Sequence, residues 1–209
     1  ESFDGGRKVL EYLNSFGKPV FIVPGNWDRT RGPKREYRKC MWYYNFIGEH
    51  NKLYDGLENV HDISFRSYDL GDQIIVGYGI WHGGKGTAPE KKSWYKYARK
   101  RLERHFMKAK KLKKKVIFLS HNVCYGTKLD IVLSKLSPAY GEHYGSIVVR
   151  DLVKRYHPLI NIGGHIHEHF GKAKVKKTIC VNTGFGANVN TLLEIKNGRI
   201  KKLEFYGKN

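Results

Sequence analysis

Leu159-Ile160-Asn161-Ile162-Gly163-Gly164-His165-Ile166-His167 is the stretch on which the fold turns. Its first four residues are a strand's length of mostly branched aliphatics, a pattern that suits burial on both faces. Two glycines end the run and permit a tight backbone path. Two histidines then follow, two residues apart. In an extended segment residues i and i+2 share a face, so the spacing predicts that His165 and His167 point the same way, each reaching a different ion of a close pair. The same arrangement occurs twice upstream: Val20-Phe21-Ile22-Val23 ends at Pro24-Gly25-Asn26, and Val116-Ile117-Phe118-Leu119 runs into Ser120-His121-Asn122.

Helices are expected between these strands. Val9, Leu10, Leu13 and Phe16 recur at helical spacing, and Gly17 followed by Pro19 supplies a stop, which predicts a short amphipathic helix from about Asp4 to Phe16. Thr87-Ala88-Pro89-Glu90 has the spacing of a capping box with proline in the first turn. Trp94, Ala98, Leu102, Phe106 and Ala109 then mark one apolar stripe of a long helix, with Lys110 to Lys115 where the helix dipole favours cations. Val148, Val149, Leu152, Val153 and Tyr156 predict another helix, ended by Pro158. Ile63 to Gly79 reads as a strand pair around Leu70-Gly71-Asp72. A further strand is expected near Thr178 to Asn182, then a hairpin with a type I′ turn at Asn197-Gly198. Residues 29 to 60 are basic and aromatic without a clear period. The alternation predicts an α/β fold with a mixed sheet, in one domain over residues 1 to 209.

Composition bounds the partners. The chain has 209 residues, 40% of them hydrophobic, which is enough for one core and unlike a disordered or disulfide-framework chain. Lys plus Arg number 39 against 19 Asp plus Glu, a formal charge of +20, so the surface attracts anions. Cys40, Cys124 and Cys180 are few and scattered, which points to a reducing, cytoplasmic setting and offers no thiolate metal site. Cys124 lies three residues after His121, but no second histidine and carboxylate support a thiol nucleophile, and it reads as a buried structural cysteine. Apolar runs are far shorter than the roughly 20 residues of a membrane-spanning helix, so no membrane partner is expected.

In open α/β sheets ligands bind at the carboxyl ends of the strands. Asn26, His121, His165 and His167 each follow a predicted strand and are therefore expected to converge. Taken singly they are ambiguous: Pro24-Gly25-Asn26 is most often an ordinary turn, and a histidine at a strand end most often a hydrogen-bonding one. Their joint occurrence in this order carries the argument.

These blocks resemble the calcineurin-like metallophosphoesterases, whose ordered signature is Asp-x-His, Gly-Asp-x-x-Asp, Gly-Asn-His-Asp or Glu, a strand ending in His, and Gly-His-x-His. The chain shows the last three as Gly25-Asn26-Trp27-Asp28, Ser120-His121 and Gly164-His165-Ile166-His167, and Asn182-Thr183-Gly184 is similar to a later Asn-x-Gly turn. The resemblance implies a four-layer α/β/β/α sandwich with mixed sheets and a two-metal site at the strand ends. Asn26, His121 and His165 would hold one ion and His167 the other, while Asp28 would orient its neighbours. Nitrogen and amide-oxygen ligands suit Mn, Fe, Co or Zn better than Mg or Ca. A phosphodiester or phosphomonoester would then be hydrolysed by a hydroxide bridging the two ions, with Asp28 and His121 in the catalytic set.

Two departures qualify the resemblance. The first two blocks are absent, so an upstream segment of about 30 or more residues, one βαβ unit, is expected to complete the site. A truncated, catalytically inactive relative that binds nucleic acid or another polyanion is the competing reading. Trp27 stands where many members carry a histidine that assists the leaving group, a contribution of about 10²- to 10⁴-fold. Trp27 would pack under its loop or, with Asn26, contact the substrate by stacking on a base or aromatic group. The Lys- and Arg-rich composition is either a solvated face or, with the aromatics of residues 29 to 46, a nucleic-acid surface. His82, His143 and His169 lie in Gly-rich or loop segments that would border a cleft. The oligomeric state is not legible in the sequence.

Overall fold

The computed structural model describes residues 3–25, 53–79, 83–84, 87–90, 92–167, 170–186 and 188–207. The chain divides into two compact units, Glu1–Asp62 and Ile63–Asn209. In the first, α1 (Phe3–Asn14) is followed by β1 (Val20–Ile22), which pairs in parallel with β2 (Val60–Asp62). Arg7 donates to the carbonyls of Leu53 and Asp55, and Asn14 accepts two hydrogen bonds from Asn59, one from its backbone N–H and one from its side-chain amide. These contacts engage polar positions of α1. Of the apolar stripe read from the sequence, Leu10 is half-buried and Val9, Leu13 and Phe16 are exposed. β1 likewise is half-buried along its whole length.

The second unit holds a six-stranded mixed sheet, ordered β3 (Ser67–Asp69), β4 (Gln73–Tyr78), β7 (Lys115–Asn122), β8 (Ile160–Gly164), β10 (Thr178–Asn182) and β9 (Gly171–Val175). The four central strands are parallel and the two edges antiparallel. The carboxyl ends of β4, β7, β8 and β10 therefore lie along one edge of the sheet.

Helix α2 (Lys92–Lys111) buries Ala98, Leu102, Phe106 and Ala109, the stripe read from the sequence. Phe106 meets Phe118 of β7 edge to face at 5.1 Å and stacks on Tyr156 of α3 (Ile147–Tyr156). The side chain of Ser146 caps α3 by accepting from the Val149 N–H, and His157 closes it in the left-handed conformation. A separate antiparallel hairpin, β11 (Val189–Lys196) and β12 (Arg199–Gly207), turns at Asn197-Gly198 with both residues at positive φ, as type I′ requires.

One expected helix start is corrected. Thr87–Glu90 is not a capping box but a strand, β6, paired with β5 (Gly83–Gly84), and α2 begins at Lys92. Pro89 explains the difference, because a residue preceding proline is pushed out of the α region towards β.

Gly77 in β4 marks a close approach. Ser64 pairs with it outside the regular ladder, and a Cβ there would run into the Ile63 carbonyl. Phe65 and Gly77 are joined by a backbone hydrogen bond of 2.9 Å, with Phe65 at positive φ. Gly77→Ala should lower unfolding stability by about 1–3 kcal/mol through overpacking, read as a shifted urea midpoint at unchanged slope.

Candidate metal centre at the strand ends

The geometry of the site begins with a register shift. β7 and β8 pair regularly through Leu119↔Ile162, then resume at Asn122↔Gly164, so β7 carries one extra residue at Ser120-His121. Such a bulge re-aims side chains and leaves ladder groups unpaired. The buried Ser120 hydroxyl donates to the Asn122 carbonyl at 2.7 Å, and the buried Asn161 amide donates to Ser120 Oγ and to the Phe118 carbonyl. Gly163 is required at the crossing, since a Cβ there would lie 2.9 Å from the Asn122 carbonyl oxygen.

The bulge brings His121 to His165. Their Nε2 and Nδ1 atoms are 3.1 Å apart and the rings meet edge to face. The spacing is that of an N–H···N hydrogen bond, and it is also close to the separation of about 3.0 Å between two nitrogens bound to one ion at about 2.1 Å each near a right angle. Among the described residues no group of three or more His, Cys, Asp or Glu converges, and His121 and His165 are the candidate ligands that the described structure brings together.

The expectation of an extended His165-Ile166-His167 is corrected. The strand ends at Gly164, and the Ile166 N–H returns to the Gly164 carbonyl at 3.0 Å, closing a γ-turn with His165 at φ 74°. The positive φ thus falls on the histidine and not on either glycine. Because the segment turns, the two imidazoles have different neighbours. His165 faces His121 and lies against the Tyr144 ring, 6.0 Å away and nearly coplanar in orientation, whereas the exposed His167 stacks on Phe185 at 4.9 Å.

Asn182 ties the surroundings together. Its buried amide donates to the carbonyls of Ile166 and Leu129 and its oxygen accepts the Gly184 N–H, with Gly184 at positive φ. Cys124 and Cys180 are buried free thiols; their mutual hydrogen bond, then burial, pushes Cys124 far above its usual range, so it stays protonated. Asn26, Trp27 and Asp28 lie outside the described residues, as do His82 and His169. Sequence reading passed over Tyr144 and Asp130; Thr127-Lys128-Leu129-Asp130 has capping-box spacing, and that signal was there to find Asp130.

A family model described as calcineurin-like phosphoesterase matches residues 3–169. The crystal structure of TT1561 of Thermus thermophilus superposes with a TM-score of 0.63 at 18% identity, over 99% of this chain and 80% of that one. A further crystal structure superposes with a TM-score of 0.63 at 16% identity, over 98% and 72% of the two chains. At these identities the likeness is one of fold. No curated protein matches the chain.

The left-handed turn at His165 has a measurable cost. A non-glycine residue there carries about 1–2 kcal/mol of strain, so His165→Gly should be more stable than His165→Ala by about 1 kcal/mol in urea unfolding. Equal stability would mean that the turn is unstrained.

Proposed function

The chain belongs to the calcineurin-like phosphoesterase family, and from that premise we propose that it hydrolyses a phosphodiester or phosphomonoester with two divalent ions of Mn, Fe, Co or Zn. The observation that carries this reading is the 3.1 Å approach of His121 Nε2 and His165 Nδ1 at the carboxyl ends of neighbouring parallel strands. His121 and His165, with Asn26, would hold one ion and His167 the other. When bound, such ions polarise a phosphoryl group and make a water nucleophilic at neutral pH.

The chain's own part is preorganisation. The β7 bulge and the γ-turn bring the two ring nitrogens to 3.1 Å. Tyr144 lies against the His165 ring, and Asn182 holds the backbone after it. Asp28 is proposed to orient the ligands around it, and Asn26 and Trp27 to meet the substrate. The +20 charge favours capture of an anionic ester. Two buried free thiols suit a reducing compartment, so a cytoplasmic setting is proposed.

The test is turnover of an aryl phosphodiester with added Mn²⁺. His121→Ala and His165→Ala should each reduce kcat/KM by at least about 10²-fold, in line with loss of a metal ligand or its support. Elemental analysis after desalting should find two ions per chain, falling in the same variants. Unchanged turnover in both variants removes these residues from the mechanism.

A second reading, a catalytically silent polyanion binder, is favoured by one feature of α2. Lys96, Lys100, Arg104 and Lys108 are all exposed and recur every four residues, a row of cations about 6 Å apart. Like charges at this spacing weaken a helix by about 0.2–0.5 kcal/mol per pair, a cost that a bound anion would relieve. If nucleic acid lies along this row, replacing all four with Gln should flatten the salt dependence of single-strand binding by about 3 in logarithmic slope. A slope indifferent to these residues rules the surface out.

A further inference from the structure

The segment between β7 and α3 contains a polar assembly that metal binding does not use. Asp130 is completely buried, yet its carboxylate accepts four hydrogen bonds. Oδ1 takes the Thr127 N–H at 2.9 Å and His143 Nδ1 at 2.8 Å; Oδ2 takes the N–H groups of Gly126 and Gly145 at 3.0 and 3.1 Å. Three backbone N–H groups already hold both oxygens as acceptors, and on that footing the ring nitrogen facing them is read as Nδ1–H. This fixes the tautomer and the orientation of His143. It also leaves Nε2 pointing away from the carboxylate on a side chain that is 40% exposed. A buried carboxylate behind one nitrogen of a half-exposed imidazole is the arrangement that holds a histidine for proton transfer at the other nitrogen.

Three contacts tie the segment that carries this pair to the strand ends that carry His121 and His165. Tyr144, the next residue, lies on the His165 ring. Its carbonyl accepts from the Asn122 amide, one residue after His121, at 3.4 Å. The Asn182 amide bridges the carbonyls of Leu129 and Ile166, which neighbour Asp130 and His165 in sequence. The Tyr125 ring also lies 5.7 Å from the His143 ring, with the Arg150 guanidinium over it.

We propose that His143, positioned by Asp130, is the proton donor to the leaving group. The proposal rests on the phosphoesterase reading and answers the deficit left by Trp27, which occupies the place of the family's leaving-group histidine. As the bond from phosphorus to the leaving oxygen breaks, its electron pair stays on that oxygen and the Nε2 proton of the His143 imidazolium neutralises it. The attacking water supplies the oxygen that remains on phosphorus and releases the proton that recharges the ring through solvent. The products are an alcohol or phenol and the shortened phosphate. Asp130 is a positioning residue in this scheme, because it acts only through His143.

The experiment pairs two esters that differ in leaving group with a spectroscopic readout. With Mn²⁺ present, His143→Gln should reduce kcat by less than about 10-fold on a p-nitrophenyl ester, whose leaving oxygen needs no proton. On the phenyl ester it should lose at least about 10²-fold, the usual contribution of a general acid. His143→Gln leaves the backbone partners of Asp130 in place, and circular dichroism checks that it folds. In the metal-free wild type, ¹⁵N imidazole spectra should show His143 protonated at Nδ1, and Asp130→Asn should abolish that preference. Equal losses on the two esters, or no loss, overturn the proposal, and so does a neutral His143 carrying its proton on Nε2. Normal wild-type turnover with equal losses removes this role alone, whereas absence of wild-type turnover on either ester removes the phosphoesterase reading and this role with it.

Discussion

One extra residue in β7 sets the geometry on which the candidate site depends. Without it, β7 and β8 would continue in register past Leu119↔Ile162, and alternation would decide where His121 points. The insertion breaks the ladder in a buried place, where unpaired backbone groups are costly. The structure meets that cost with two buried polar side chains, Ser120 and Asn161, whose hydrogen bonds run to the strands themselves. It also requires Gly163, because the neighbouring strand comes too close for a Cβ. Two polar residues in otherwise aliphatic strands and one glycine are thus a single device for bringing two imidazoles to 3.1 Å.

The second constraint is the buried Asp130. Burying a carboxylate is expensive unless every acceptor site is filled, and here three backbone N–H groups and one imidazole fill them. Those partners come from residues 126, 127, 143 and 145, so satisfying one side chain folds a long connection back on itself. The Tyr144 N–H, bonded to the Asp130 carbonyl at 2.7 Å, closes the same link from the backbone. The connection between β7 and α3 therefore stands as a shaped wall, with Tyr144 against His165.

Much of this was legible in the sequence, and the rest was not for identifiable reasons. The aliphatic runs before His121 and His165 gave the parallel strands, because burial on both faces leaves no other composition. The stripe from Ala98 to Ala109 gave α2, and Asn197-Gly198 gave the hairpin. Thr87-Ala88-Pro89-Glu90 misled, since capping-box spacing says nothing of where the helix then starts, while proline constrains the residue before it. His165 and His167 misled because i, i+2 reasoning assumes an extended chain, and a γ-turn is invisible to periodicity. The Asp130–His143 pair spans 13 residues of irregular chain, so only the fold could reveal it. Val9, Leu13 and Phe16 form the stripe expected of α1, but a stripe predicts an apolar face and not what covers it.

Strain at His165 shows where the energy of the arrangement resides. A left-handed histidine persists only if its surroundings over-determine it. Here the Ile166 N–H is held by Gly164, the Ile166 carbonyl by Asn182, and the ring meets both His121 and Tyr144. Each restraint comes from a different element: β8 itself, β10, β7 and the connection before α3. The orientation of the ring is therefore built into the sheet. A ring held this way gives up stability in the protein in exchange for a fixed orientation, and fixed dipoles act most strongly where little reorganisation is needed.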